Sequence, residues 1–287
     1  MLEVMERRFE RNPAFRVMYH DFMDEYLALG HMTPSTVERG VNACFRPHHG
    51  VLKGSGSDVK IRVVFNESAR TAAGHSLNDF LHAGPNLLPV LADILTRWRR
   101  HRYVFTADIV KMYRQILVHP EDRQMLQMIL WKQLKHALNT VTYGQKDAPY
   151  LALKTIDRLA EDERSRFPLG AEAVQSDRYV DDVLSGTATL DACRRVREQV
   201  TSLCLAGGFP LKKWAANDEA LLEDVPPEHR LQPTANASLP SDDCSVLGLR
   251  WSPGSDDFAF TVLKSVVVSP TKRSVLSRTA RLFDPLG

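Results

Sequence analysis

The sequence lacks any apolar run long enough to span a bilayer, which takes about 20 consecutive apolar residues. Its opening, Met1 to Glu10, has no apolar core of signal-peptide length. The expectation from both absences is an intracellular, cytoplasmic chain that neither enters nor crosses a membrane. Cysteine is scarce, with four in 287 residues: Cys44, Cys193, Cys204 and Cys244. No two of them have metal-ligand or redox spacing, so a thiolate zinc site and a disulfide framework are set aside. A charge excess is also missing. The net charge is +2, so an affinity for nucleic acid has to be argued from local clusters rather than the total. No internal repeat or low-complexity tract is present. At 44% hydrophobic and 25% charged, the composition is that of an ordinary globular chain, long enough for one large or two smaller domains.

The most informative stretch is Arg178-Tyr-Val-Asp-Asp-Val-Leu-Ser-Gly186. Tyr179, Val180, Val183 and Leu184 favour a strand, and Asp181-Asp182 interrupts them as turn formers do. Neighbouring residues on a straight strand face opposite ways, so only a turn lets both acids look toward one site. Two such carboxylates resist ionising together unless a cation sits between them, and hard divalent ions take carboxylate oxygens. Taken alone, the stretch equally suits a solvated hairpin turn.

Along the chain, residues 1–29 read as helix broken at Asn12-Pro13, with Phe15, Met18, Tyr19, Phe22, Tyr26 and Leu29 on one face and Gly30 at the end. His48 and His49 have no partner cluster nearby in sequence and are assigned a structural or surface role. Gly54-Ser55-Gly56-Ser57 reads as a turn. In the strand Val59 to Phe65, Lys60 and Arg62 share a face suited to a triphosphate, or simply to solvent. A helix capped by Asn86 is expected to start at Leu87 and end in the basic run Arg97 to Arg102. Tyr103 to Asp108 reads as a central strand delivering Asp108 near its C-terminal end, where sites gather in α/β folds. Tyr113 follows at Asp-x4-Tyr spacing. Leu138 to Tyr143 reads as a strand closed by Gly144, ahead of a helix through Tyr150 and Leu159. Leu190 to Leu203 reads as an amphipathic helix with Arg194, Arg195 and Arg197 off its apolar stripe, stopped by Gly207-Gly208. Residues 218–243 read as an acidic, Pro-rich surface excursion, Ser245 to Trp251 as one strand, and Phe258 to Val268 as two more. From Phe258 to Phe283 every charge is basic (Lys264, Lys272, Arg273, Arg278, Arg281), a candidate contact for a phosphate backbone.

The order of these phrases resembles the reverse transcriptases, and within them the Bel-Pao class of LTR retrotransposons. The matching phrases begin with Arg62-Val-Val-Phe65, Ser76-Leu-Asn-Asp79 and Gly84-Pro-Asn-Leu87. Asp108-Ile-Val-Lys-Met-Tyr113, Asn139-Thr-Val-Thr-Tyr-Gly144 and Tyr179-Val-Asp-Asp182 follow. Gly208-Phe-Pro-Leu-Lys-Lys-Trp214 and Leu282-Phe-Asp-Pro-Leu-Gly287 complete the series, which extends over nearly the whole chain.

That resemblance implies an α+β fold, the palm and fingers of a right-hand polymerase with thumb and later domains missing. It implies an N-terminal helical extension over 1–14, fingers over about 15–85 and 118–148, palm over about 86–117 and 149–255, and the start of thumb or connection over 256–287. The implied activity is RNA-directed DNA polymerisation by a segment of a retrotransposon polyprotein. The substrates would be an RNA template, a DNA or tRNA primer and dNTPs, and RNase H and integrase domains would belong to the full polyprotein. Asp108, Asp181 and Asp182 correspond to the ligands of two Mg²⁺ ions, with Mn²⁺ as a substitute. Lys213, ahead of Lys212, corresponds to the lysine that protonates pyrophosphate. Lys60, Arg62, Tyr113, Tyr143 and Gly144 correspond to the dNTP site, with Tyr113 as the gate that excludes a 2′-hydroxyl. No Asp-Thr-Gly or Asp-Ser-Gly is present for an aspartic protease. The alternative is a truncated or domesticated retroelement fold that binds nucleic acid or a partner without polymerising.

Overall fold

The computed structural model describes residues 2–35, 44–54, 59–126, 128–132, 134–232, 244–259, 271, 272 and 274. Ser55 to Ser57, Lys264, Arg273, Arg278, Arg281 and Leu282 to Gly287 lie outside them, as does most of the pair of strands expected over Phe258 to Val268.

Helices α1 (Leu2–Arg11) and α2 (Pro13–Ala28) meet at Asn12, whose side chain accepts from the Phe15 amide while Pro13 takes the first helical position. Strand β1 (Met32–Pro34) is followed by β2 (His48–Lys53), β3 (Lys60–Phe65) and the short helix α3 (Leu77–Phe80). Helix α4 (Leu91–Arg99) leads into β4 (Tyr103–Ile109) and a 3₁₀ turn at Met112–Gln115. Helix α5 (Pro120–Leu126), strands β5 (Met128–Trp131) and β6 (Leu134–Leu138) and helices α6 (Ala148–Asp162) and α7 (Pro168–Ser176) come next. The hairpin β7 (Arg178–Tyr179) and β8 (Asp182–Thr187) precedes helix α8 (Leu190–Ala206) and strand β9 (Leu211–Ala216). Strands β10 (Cys244–Val246), β11 (Leu249–Ser252) and β12 (Asp257–Ala259) follow.

The chain divides into two compact units, one of Met1–Leu87 with Lys111–Thr155 and one of Leu88–Val110 with Ile156–Gly287. In the first, β1-β6-β5 form an antiparallel sheet and β2-β3 a ribbon. Phe15, Tyr19, Met23, Tyr26, Phe65, Ile129 and Leu138 make its core, so the apolar face of α2 is buried as its spacing predicts. His48 is structural: it is buried, hydrogen-bonded to the Tyr19 hydroxyl, and paired through Nε2 with the Leu130 carbonyl at 2.9 Å. Arg46 and Glu67 form an ion pair at 2.8 Å with both side chains almost fully out of water.

The second unit is built on the antiparallel sheet β7-β8-β4-β9, with β4 in its interior, and a smaller sheet β10-β11-β12. Ile94, Leu95, Trp98, Val104, Leu184 and Trp251 form a core in which the Trp98 and Trp251 rings lie 4.7 Å apart.

Several sequence expectations move. The helix expected from Leu87 starts at Leu91, with Val90 as its cap, because Pro89 keeps Leu88 out of the helical region. The strand expected over Leu138 to Tyr143 lies earlier, at β6. Residues beyond it make single pairings instead, such as Val141 N–H to the Ile116 carbonyl at 2.9 Å. Ser245 to Trp251 is a hairpin rather than one strand, since Leu247 and Gly248 both take positive φ, the pattern of a two-residue type I′ turn. Arg197, off the apolar stripe of α8, is nevertheless buried, and its guanidinium holds Asp224 at 2.6 Å. Residues 218–232 are no mere excursion, because Leu221, Leu222 and Val225 are buried.

Candidate active site

Asp108 stands next to last in β4, an interior strand whose Val104, Phe105, Ala107 and Ile109 are buried. Its neighbour on one side is β8, where Asp182 is its direct cross-strand partner. Directly opposed residues in an antiparallel pair point to the same face, with Cβ atoms about 4.5–5.5 Å apart. The two carboxylates are therefore brought together by register, although like charges so opposed disfavour the sheet.

Asp181 arrives by the turn. Tyr179 pairs with Asp182, which leaves Val180 and Asp181 as the two loop residues of a hairpin. Val180 has φ +56°, and Asp181 is not among the residues of positive φ. Positive φ at the first loop residue alone is the pattern of a type II′ turn, where glycine is usual and a β-branched side chain is strained. The turn is tied to β4 by the Ile109 amide, which donates to the Asp181 carbonyl at 2.7 Å.

Lys213 comes from the other side of β4. Between Thr106–Ala215 and Asp108–Lys212 the β4–β9 register shifts, so Ala107 faces two residues, Lys213 and Trp214. This is a β-bulge, with Lys213 at φ +55°. The bulge turns the lysine so that its Nζ lies 2.7 Å from Asp108 Oδ2. Trp214 stays buried, its ring 5.8 Å from that of Phe105. Lys212 is the direct cross-strand neighbour of Asp108 and is exposed.

Asp108, Asp181, Asp182 and Lys213 line one cavity of about 260 Å³, with Thr106, Leu231 and Val246 among its other walls. Burial, then the charges of Asp181 and Asp108, push the Asp182 carboxyl up to about 7 against the pull of Lys213. For Lys213, partial burial works against the charge, but the hydrogen bond and charge of Asp108, with Asp182 and Asp181 behind, raise its pKa. Among the described residues no group of three or more His, Cys, Asp or Glu side chains stands ready to hold a metal ion. The Lys213 ammonium sits on Asp108 instead. The donor set itself is all carboxylate oxygen and carries more negative charge than one lysine balances, which suits a hard divalent cation.

A second group belongs to the first unit. Arg62 is exposed on β3, with its guanidinium carbon 5.3 Å from the centre of the Tyr143 ring. The Tyr143 and Tyr113 rings lie 4.6 Å apart. Lys60 is exposed on the same face of β3 as Arg62, as strand alternation requires. Gly144 has φ +104°, and a Cβ there would meet the Phe65 carbonyl at 2.9 Å, so the position takes only glycine without strain. Asn78 donates to the Gly144 carbonyl at 3.0 Å and accepts from the Lys146 amide at 2.9 Å, fixing this loop. The sequence-predicted residues thus gather as two sets, each within its own unit. Sequence reasoning gave no role to Arg178 or Asp157, whose ion pair behind the Asp181-Asp182 turn is long-range and has no local signal.

No protein-family model matches the chain, and no curated protein matches it either. Solved structures do. The native prototype foamy virus protease-reverse transcriptase matches over 71% of this chain and 24% of its own, with TM-score 0.54 and 20% identity. The foamy viral protease-reverse transcriptase in complex with double-stranded DNA matches over 92% of this chain and 46% of its own, with TM-score 0.61 and 17% identity. The same enzyme in complex with an RNA/DNA hybrid matches over 80% and 25%, with TM-score 0.52 and 16% identity. The chain spans less than half the length of each of these neighbours. At these identities the likeness shows the fold: an α+β chain of reverse-transcriptase type, matching part of the viral protein.

Proposed function

We propose that the chain is the fingers-and-palm segment of an RNA-directed DNA polymerase from a retrotransposon polyprotein of the Bel-Pao class. The observation that carries this reading is the meeting of Asp108, Asp182, Asp181 and Lys213 around one cavity, delivered by three separate devices: strand register, a strained turn and a bulge. The viral neighbours bind double-stranded DNA and an RNA/DNA hybrid, which supports nucleic acid as the partner here. In this reading the first unit supplies the fingers and the second the palm, and the substrates are an RNA template, a DNA or tRNA primer and dNTPs.

Asp108, Asp181 and Asp182 would hold Mg²⁺, or Mn²⁺ in its place, as two ions. When bound, these supply the charge that lowers the pKa of the primer 3′-hydroxyl and offsets that of the leaving pyrophosphate. Nucleotidyl transfer asks little covalent work of the protein, so its residues position groups and balance charge. Lys213, held near the reacting oxygens by the bulge, donates a proton to pyrophosphate as general acid. Lys60 and Arg62 hold the triphosphate, Arg62 through its planar fork. Tyr113, braced by Tyr143, fills the volume of a 2′-hydroxyl and so selects deoxynucleotides. Gly144 lets backbone approach the nucleotide where a side chain would block it.

Primer extension on an RNA template with Mg²⁺ tests this reading, with the native chain beside the Asp181→Asn/Asp182→Asn double variant. Extension by the first and none by the second is the expected result. One observation favours a second reading, a retroelement-derived fold that binds nucleic acid without polymerising: the ammonium of Lys213 already occupies Asp108. Binding of primer-template by both proteins, with extension by neither, selects that reading.

A further inference from the structure

Arg178 is the first residue of β7 and is 5% exposed. A buried guanidinium is costly unless its donors are used, and burial lowers the pKa of this one. Two of its donors are placed with a purpose. Nη2 donates to Asp157 Oδ1 on α6 at 2.8 Å, and Nη1 donates to the carbonyl of Val180 at 3.1 Å.

Val180 is the strained residue of the hairpin, at φ +56°. A non-glycine residue in that region is strained and persists only where its surroundings hold it. What holds it is visible on both sides of the loop. The Val180 carbonyl is taken by Arg178, and the next carbonyl, that of Asp181, is taken by the Ile109 amide at 2.7 Å. The first anchor is a side chain that is itself fixed to a helix by Asp157; the second is the strand that carries Asp108.

We infer that Arg178, backed by Asp157, is a positioning residue: it locks the Val180 peptide in its left-handed conformation and thereby sets where the Asp181 carboxylate points. This rests on the polymerase reading for its consequence, but not for its geometry. The two contacts are made by separate nitrogens of one rigid planar fork, so Arg178→Lys keeps the charge but replaces the fork by a single flexible point of attachment and loosens the hold on the Val180 carbonyl. Glycine takes positive φ freely, so Val180→Gly removes the need for the lock.

The test uses the full chain with Arg178→Lys, Asp157→Asn, and Arg178→Lys combined with Val180→Gly. Amide exchange is followed by NMR at Ile109, which donates to Asp181, and at Val110, which donates to the Pro210 carbonyl at 2.9 Å on the other side of β4. Arg178→Lys and Asp157→Asn should speed exchange at Ile109 about tenfold and leave Val110 unchanged. In single-turnover extension both should slow the chemical step about tenfold to a hundredfold at unchanged dNTP affinity, since small misplacements cost rate rather than binding. Adding Val180→Gly to Arg178→Lys should restore most of that rate. Equal loss of protection at Ile109 and Val110 would mark Arg178 as ordinary core support and overturn the inference. So would unchanged exchange at both, or failure of Val180→Gly to rescue an active chain. If the native chain does not extend a primer, the polymerase reading fails, and the exchange ratio alone still decides the role of Arg178.

Discussion

A single ammonium decides the charge balance of the acidic cavity. Lys213 sits where a cation ligated by Asp108 would compete with it. Lys213→Met should therefore tighten Mn²⁺ binding roughly threefold to tenfold, from the loss of a nearby positive charge. It should also slow extension about tenfold to a thousandfold, from the loss of a proton donor. Manganese titration by electron paramagnetic resonance and single-turnover kinetics read the two effects separately. A second residue, His31, reports on stability. It is buried, Arg114 Nε donates to its Nδ1 at 2.9 Å, and burial with the charges of Arg114 and Lys111 lowers its pKa to about 4. The unfolded chain, with histidine near 6.5, binds the extra proton first, so this group's contribution is complete above about pH 6.5 and is lost as pH falls toward 4. His31→Gln keeps an acceptor for Arg114 and does not titrate. Urea unfolding from pH 7 to 4 should fall more steeply for the native chain than for that variant. At this scale the sequence showed the acids, since Asp181-Asp182 breaks an apolar strand and Asp108 ends one. It could not show the partner of Arg178, which is 21 residues away on a helix.

Elements were legible where periodicity is strong. Helix α2 after the break at Asn12-Pro13, the interior strand β4 and helix α8 with its glycine stop all follow from residue spacing and breakers, while the cap that Asn12 makes was seen only in the structure. Boundaries went wrong where a proline or a positive-φ pair acts locally: at Pro89 before α4, and at Leu247-Gly248 between β10 and β11. The bulge in β9 was invisible for a related reason, because Leu211-Lys212-Lys213-Trp214 carries no glycine to announce it. Removing Lys213 should leave an uninterrupted ladder, with Trp214 still facing Ala107 and Lys212 still opposite Asp108. Such a deletion variant should melt no lower than the native chain yet extend primers at least tenfold more slowly. Calorimetry and kinetics on the same preparation check both halves. In the first unit, the ion pair of Arg46 and Glu67 lies out of water, and burial pushes the Glu67 carboxyl up to about 7 despite Arg46 beside it. Arg46→Met should cost about 3–5 kcal/mol by stranding that carboxylate, and Arg46→Met with Glu67→Gln should cost clearly less. Denaturant unfolding at pH 8 separates the two.

Across the whole molecule, the low net charge of +2 means that no bulk electrostatic term marks the chain as a nucleic-acid protein. The fold class was readable only because many short phrases occur in one order. Among the described residues no helix is long and apolar enough to cross a membrane. The chain moves between its two units more than once, and Leu88–Val110 belongs to the unit completed only by residues from Ile156 onward. Strand β4 lies between β8 and β9, so both of its partners leave the ribosome more than 70 residues after it. Until then Val104, Phe105 and Ile109 lack the partner strands that pair with them in the folded unit, and an apolar segment without partners invites intermolecular pairing. A polypeptide ended at Ser176 should therefore partition into the insoluble fraction on expression, while one ended at Ser252 stays dispersed; centrifugation of lysates distinguishes them. The layout makes biosynthesis itself hazardous: a message interrupted by a premature stop codon would yield not an idle fragment but a sticky one, with the central strand made and the strands that cover its edges missing.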